Sequence, residues 1–131
     1  MITPRTILSI LLATIWISVS EFLRNTFLLN SYWTAHFRLL GLTFPEEPLN
    51  GAIWGAWSFC FAVTIYIIAQ KFSLLHSTLL SWFVGFVMMW LVTGNLGVLP
   101  SGILPVAIPL SFLEAFVAAL MMKKLNDLER P

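Results

Sequence analysis

Glu114 carries the strongest chemical signal in this sequence, because it is the one carboxylate within the apolar run IPLSFLEAFVAALMM at 108–122. An ionised carboxylate in the middle of a membrane costs about 2.5–3.5 kcal/mol on insertion scales. Such groups serve as proton or ligand sites, or as hydrogen-bonding contacts between helices. We therefore predict a neutral Glu114 that is either a functional group or a purely structural one.

A second polar group lies towards the end of the first apolar run. Glu21 and Arg24 are three residues apart, a spacing that places both on one helical face and favours an ion pair. Asn25 adjoins them, and further polar residues in other segments predict the rim of an outward-facing pocket with tryptophan in its wall. The predicted ligand or proton site comprises Glu114, Glu21, Arg24, Asn25, Asn95, Ser111, Thr14, Ser18, His36 and Trp57.

Several classes of function are not favoured by the sequence. Cys60 is the single cysteine, which excludes dithiol redox chemistry within the chain. No spacing typical of metal ligands, phosphate-binding loops or nucleophilic triads is present, so we expect no cofactor and no metal. The net charge of +1, without a basic run, gives no reason to expect nucleic acid.

These residues must be positioned by membrane-spanning helices. The chain has 131 residues, of which 59% are hydrophobic and only 10% charged. Its apolar runs, at 6–25, 51–70, 78–96 and 104–122, are long enough to cross a hydrocarbon core of about 30 Å. The sequence predicts an all-α, four-helix transmembrane bundle that forms a single domain over residues 1–131, in contact with membrane lipids.

The connection between the first two spans predicts a short amphipathic helix on the membrane surface, at about 31–40. Ser31 is a good N-cap and Gly41 a good helix stop. Trp33, Phe37 and Leu40 fall on one apolar stripe.

The distribution of basic residues predicts the orientation. Five lie on the side of the two termini, at positions 5, 71, 123, 124 and 130, whereas positions 24 and 38 lie on the other side. The positive-inside rule then predicts both termini in the cytoplasm, with the surface helix outside the cell membrane.

Helical periodicity predicts one inward stripe in each span. The four stripes are Ile7, Leu11, Thr14, Ser18, Glu21 and Asn25; Gly51, Gly55, Ser58 and Ala62; Ser81, Gly85, Met88, Val92 and Asn95; and Ala107, Ser111, Glu114, Ala118 and Met121. Thr14 and Thr64 are predicted at the depth of Glu114, and no cation is. The Gly51/Gly55 face is a predicted helix interface, inside the bundle or between copies in a homo-oligomer.

Three functions remain open at this stage. The first is binding or carriage of a hydrophobic, lipid-like or cationic small molecule, with proton coupling through Glu114. The second is a non-enzymatic accessory or assembly subunit of a larger membrane complex. The third and weakest is an intramembrane enzyme acting on a lipid or isoprenoid, because no second catalytic group is clearly placed beside a glutamate.

Overall fold

The protein is all-α in a computed structural model that describes residues 1–128. Four apolar helical segments are long enough to cross a membrane: Pro4–Leu28, Pro48–Ala69, Leu74–Asn95 and Ser101–Leu125. Their agreement with the four predicted runs confirms the fold class. Arg130, which entered the orientation count, lies outside the described residues. The elements are α1 (Pro4–Leu23), α2 (Asn30–Leu39), α3 (Pro48–Ala69), α4 (Leu74–Trp82), α5 (Met88–Asn95) and α6 (Leu104–Leu125).

Two of the spans contain a π-helical turn. Residues Arg24–Leu28 extend α1, and residues Phe83–Val87 join α4 to α5 in one continuous span. In the first turn the Leu29 N–H donates to the Arg24 carbonyl at 2.9 Å, five residues back. A π turn accommodates one extra residue, so it changes which side chains beyond it face the bundle.

Small residues are buried between the helices in the half of the bundle nearest the chain termini. Ala13, Ala62, Ala115, Ala118 and Ala119 are all fully buried there, and alanine lets helix backbones approach closely. On α6 the predicted inward stripe is confirmed at 107, 111, 114 and 118. The stripe predicted on α3 is confirmed only at 58 and 62, because position 51 is exposed and a Cβ at 51 or 55 would meet no atom within 4 Å.

The inward stripe predicted for the first span is confirmed at Glu21 and is wrong at its other positions. Ile7 and Leu11 are about half exposed, and the buried face of this span comprises Thr6, Ser9, Ala13, Ile17, Glu21 and Arg24. Both sets obey the same spacing of three and four residues. The packing of α1 against α3 and α6 decides between them.

The stripe predicted for the third span is wrong beyond its π turn. Met88 is 48% and Val92 60% exposed, whereas Phe86 is buried and Met89 and Thr93 are half-buried. The shift from 85, 88 and 92 to 86, 89 and 93 is one residue, as expected if the π turn adds one residue to the repeat.

The surface helix forms where the sequence predicts it, with one difference at its start. It begins at Asn30, directly after Leu29, and Ser31 is not its N-cap. Gly41 ends it with a positive φ of 72°, and the Leu42 N–H donates to the Phe37 carbonyl at 2.9 Å. This is the left-handed stop that glycine permits.

Candidate functional site

A cluster of three charged side chains lies inside the bundle. The Arg24 guanidinium donates through Nη2 to Glu21 Oε1, and its Nη1 lies 3.5 Å from Glu114 Oε1. The ring of Phe86 lies beneath it, 5.5 Å from the guanidinium carbon to the ring centroid. The predicted Glu21–Arg24 ion pair is therefore confirmed, and Glu114 joins it. These three charged residues are called the charged cluster below.

The expectation that no cation would reach Glu114 is wrong, because side chains do not stay at the height of their own Cα. Side chains on a helix lean towards its N-terminus. Since α1 and α6 run in opposite directions, the Arg24 side chain leans away from the α2 end of the bundle and the Glu114 side chain leans towards that end. The two side chains therefore approach each other. The two threonines expected beside Glu114 instead donate within their own helices, Thr14 to the Ile10 carbonyl (2.7 Å) and Thr64 to the Cys60 carbonyl (2.9 Å).

The charged cluster has two carboxylates and only one cationic group. Glu21, Arg24 and Glu114 are only 5%, 6% and 1% exposed. Their formal charges sum to −1 when both carboxylates are ionised. In addition, Glu114 Oε2 is buried without a hydrogen-bond partner among residues 1–128. One proton or one monovalent cation would neutralise the cluster.

Two indoles donate hydrogen bonds to α6 at and near Glu114, one to its backbone and one to a side chain. Trp16 Nε1 donates to the Glu114 carbonyl at 3.0 Å, and Trp82 Nε1 donates to Ser111 Oγ at 2.9 Å. Ser111 Oγ in turn donates to the Ile108 carbonyl at 3.1 Å. The predicted site residue Ser111 therefore connects α6 to Trp82, and its hydroxyl hydrogen is already donated within α6.

A hydrogen-bonded chain connects the charged cluster to the surface helix. Asn25 Nδ2 donates to Glu21 Oε2 and to the Glu21 carbonyl, both at 3.0 Å. Asn25 Oδ1 accepts from Trp33 Nε1 at 3.1 Å. The predicted residue Asn25 thus belongs to the site, and Trp33 is one of its neighbours.

Aromatic rings cover the charged cluster on the side of α3 and α5. Trp57 lies 5.1 Å from Phe61 and 5.8 Å from Phe86, measured between ring centroids. Phe86 lies 5.9 Å from Trp90. The predicted residue Trp57 therefore reaches the cluster only through the Phe86 ring.

The remaining predicted residues lie apart from the charged cluster. Asn95 is exposed at the end of α5, and Ser18 and Thr14 are half-buried on α1 beside its inward face. His36 donates through Nε2 to the Gly97 carbonyl at 2.8 Å, where it connects α2 to the loop before α6. The structure therefore brings Glu21, Arg24, Asn25 and Glu114 together in the interior of the bundle.

Phe86 and Trp16 are not among the predicted site residues. Phe86 faces the cluster only because the π turn rotates it inward, and no residue pattern in FVGFV signals that turn. Trp16 had a usable signal, since its position between Ala13 and Ile17 follows the inward face of α1. Among residues 1–128, no three His, Cys, Asp or Glu side chains converge as metal ligands.

The fold and the cluster together define the class of protein. It is an integral membrane protein, a four-helix bundle with a buried pair of carboxylates that share one arginine. No protein-family model, no curated protein and no solved structure matches this chain.

Proposed function

We propose that this protein binds or carries a hydrophobic small molecule that is lipid-like or cationic, and that the charged cluster holds the proton or cation that accompanies it. The observation that carries the proposal is that two buried carboxylates, Glu21 and Glu114, share the single guanidinium of Arg24. A structural ion pair needs one carboxylate for each guanidinium, and the second one, with its unpartnered Oε2, is costly to bury unless something binds it.

The proposed orientation places both termini in the cytoplasm and α2 outside. Arg5 and Lys124 lie at the end of the bundle with the termini, and α2 lies at the other end. In the α2 half, neither the first ten residues of α3 nor any residue of α5 is buried. The helices are thus least tightly packed on the side from which a ligand would enter.

The alternative is an accessory or assembly subunit of a larger membrane complex, and one observation favours it. Gly51 and Gly55 lie one helical turn apart, with open space where a Cβ would stand. Another helix could approach α3 closely at that face. That helix would belong either to a partner protein or to a second copy of this chain.

Native mass spectrometry of the protein released from nanodiscs tests the proposal. We expect the wild type to retain a small molecule, and Glu114→Gln to bind it at least about tenfold more weakly, which corresponds to about 1.4 kcal/mol. Glu46→Gln is the matched control, because Glu46 is exposed and its Oε1 accepts from Asn30 outside the cluster. It should retain the ligand.

Two results would contradict the proposal. One is a wild-type protein that is empty and carries a second polypeptide, which would favour the subunit function. The other is a bound molecule whose occupancy is the same in Glu114→Gln as in the wild type. Glu114 would then serve only to hold α6 against α1.

A further inference from the structure

An open cavity lies between α1 and α6 at the end of the bundle that holds the chain termini. Its volume is about 390 Å³, and the described residues that line it are Arg5, Leu8, Lys124, Leu125 and Asp127. Arg5 is in the first turn of its membrane span and Lys124 is in the last turn of its own. Span ends lie at the membrane–water interface, so the cavity lies at the depth of the phospholipid headgroups.

The charges of the described residues that line this cavity sum to +1. Arg5 Nη1 donates to Asp127 Oδ2 at 2.6 Å, so the arginine already has one anionic neighbour. The side chains of this pair are 71% and 76% exposed, so water screens the pair and it can rearrange at little cost. One further negative charge would balance the cavity, and a guanidinium can present two parallel N–H donors to phosphate oxygens.

The two consecutive lysines at the end of α6 have different positions. Lys123 is 5% exposed, and its Nζ donates to the Ala69 carbonyl at 2.8 Å and to the Phe72 carbonyl. It therefore satisfies backbone carbonyls at and just beyond the end of α3. Lys124 is exposed and lines the cavity. Of the two, Lys124 is the lysine placed to meet a ligand there.

A left-handed turn fixes the part of the cavity that follows α6. Asp127 has a positive φ of 53°, and the Leu128 N–H donates to the Lys123 carbonyl at 2.9 Å, which stops the helix. Asn126 Nδ2 donates to Ser9 Oγ at 2.8 Å and ties this turn to α1. Aspartate and asparagine both tolerate the left-handed conformation. The carboxylate can therefore be replaced by an amide without a change of backbone.

The cavity continues onto the lipid-facing surface of α1. Leu8 lies three residues after Arg5, about 4.5 Å further into the membrane. Leu8, Leu12 and Ile15 are 51%, 37% and 60% exposed, and their spacing of four and three residues forms one apolar stripe. An amphiphile with its phosphate between Arg5 and Lys124 would lay an acyl chain along this stripe, whereas a soluble phosphate compound would make no use of it.

We propose that this cavity binds the headgroup phosphate of an anionic glycerophospholipid, with Arg5 and Lys124 as its charged contacts. An acyl chain lies on the stripe that begins at Leu8. Basic pockets between transmembrane helices on the cytoplasmic side bind anionic headgroups, and the proposed orientation puts this end of the bundle on that side. The site goes beyond the proposed function, since it shares no residue with the charged cluster.

Native mass spectrometry of the delipidated protein in detergent, titrated with phosphatidylglycerol or phosphatidylcholine, tests the site. The wild type should bind phosphatidylglycerol about fivefold more tightly, and Lys124→Gln should weaken that binding about fivefold, the effect of one basic residue near an anionic headgroup. Arg5→Gln should weaken it at least as much, because it leaves Asp127 beside the phosphate. Lys71→Gln is the matched control: Lys71 is exposed at the same end but does not line the cavity, so binding should not change.

Asp127→Asn supplies a change of opposite sign. It removes the negative charge that competes for Arg5, so it should strengthen phosphatidylglycerol binding about fivefold. If the Arg5–Asp127 pair served only to hold α6 against α1, Arg5→Gln and Asp127→Asn would break the same contact and change binding in the same direction.

Four results would overturn the site. They are equal binding of the two lipids by the wild type, equal losses in Lys71→Gln and Lys124→Gln, weaker binding in Asp127→Asn, and displacement of the lipid by excess glycerol phosphate. The third would mean that the cavity binds a headgroup ammonium, and the fourth that it binds a soluble phosphate compound. A molecule that Glu114→Gln loses and Lys124→Gln retains belongs to the charged cluster, and the reverse pattern belongs to this cavity. The two proposals therefore fail on different variants.

Discussion

Replacing Arg24 with methionine should destabilise the protein far more than neutralising Glu114. Arg24→Met keeps the length of the side chain but removes a charge-assisted hydrogen bond to Glu21, worth about 1.5–3 kcal/mol. It also removes the attraction to the Phe86 ring, worth about 0.5–2 kcal/mol. The sum of about 2–5 kcal/mol matches the roughly 3–5 kcal/mol measured when one partner of a buried ion pair is removed.

Glu114→Gln should cost no more than about 1 kcal/mol, because the Glu21–Arg24 pair remains and Arg24 Nη1 is already 3.5 Å from Glu114 Oε1. The double variant Glu21→Gln/Arg24→Met should be more stable than Arg24→Met alone. In Arg24→Met two buried carboxylates have no cation, whereas in the double variant only Glu114 is left without one.

Unfolding in mixed micelles with increasing SDS, followed by circular dichroism, gives these free energies. Arg38→Met is the control, since Arg38 is exposed on α2, and it should leave the unfolding curve unchanged. Equal losses for Arg24→Met and Glu114→Gln would refute the reasoning. So would a double variant less stable than Arg24→Met, because the cost would then not come from an unpaired buried charge.

Two further predictions concern the packing that positions the cluster, and the same unfolding assay measures both. Gly85→Ala should lower the free energy of unfolding by about 1–3 kcal/mol, because the new Cβ would lie 2.6 Å from the Phe61 ring. Gly51→Ala is the control and should not lower it, because a Cβ there meets nothing within 4 Å. Equal effects of the two substitutions would contradict the packing described. Ser111→Ala should cost about 1–3 kcal/mol because Trp82 Nε1 loses its acceptor, whereas Ser111→Thr, which retains a hydroxyl, should cost less.

The four spans and the surface helix could be predicted because each depends on local sequence. An apolar run of about 20 residues crosses a membrane whatever its neighbours are, and Gly41 stops a helix through its own backbone freedom. On α6 the inward stripe was also predictable, since α6 has no π turn and its small and polar residues share a single face.

The inward faces of the other spans were harder to predict. On α1, two stripes that share Glu21 are both spaced by three or four residues and both contain polar residues, so periodicity could not choose between them. On the third span, the π turn at Phe83–Val87 shifts the inward face by one residue, and local sequence gives no sign of it.

For the candidate site, the sequence by itself determined that Glu21 and Arg24 would pair and that Glu114 would lie in the membrane interior. Those facts follow from spacing along one helix and from depth within an apolar run. Only the tertiary structure decided that Arg24 reaches Glu114, that Phe86 lies beneath Arg24, and that Trp33 is connected to the cluster through Asn25. Each of these contacts joins different helices, so it depends on helix direction, helix rotation and side-chain reach together, and a one-dimensional pattern fixes none of the three.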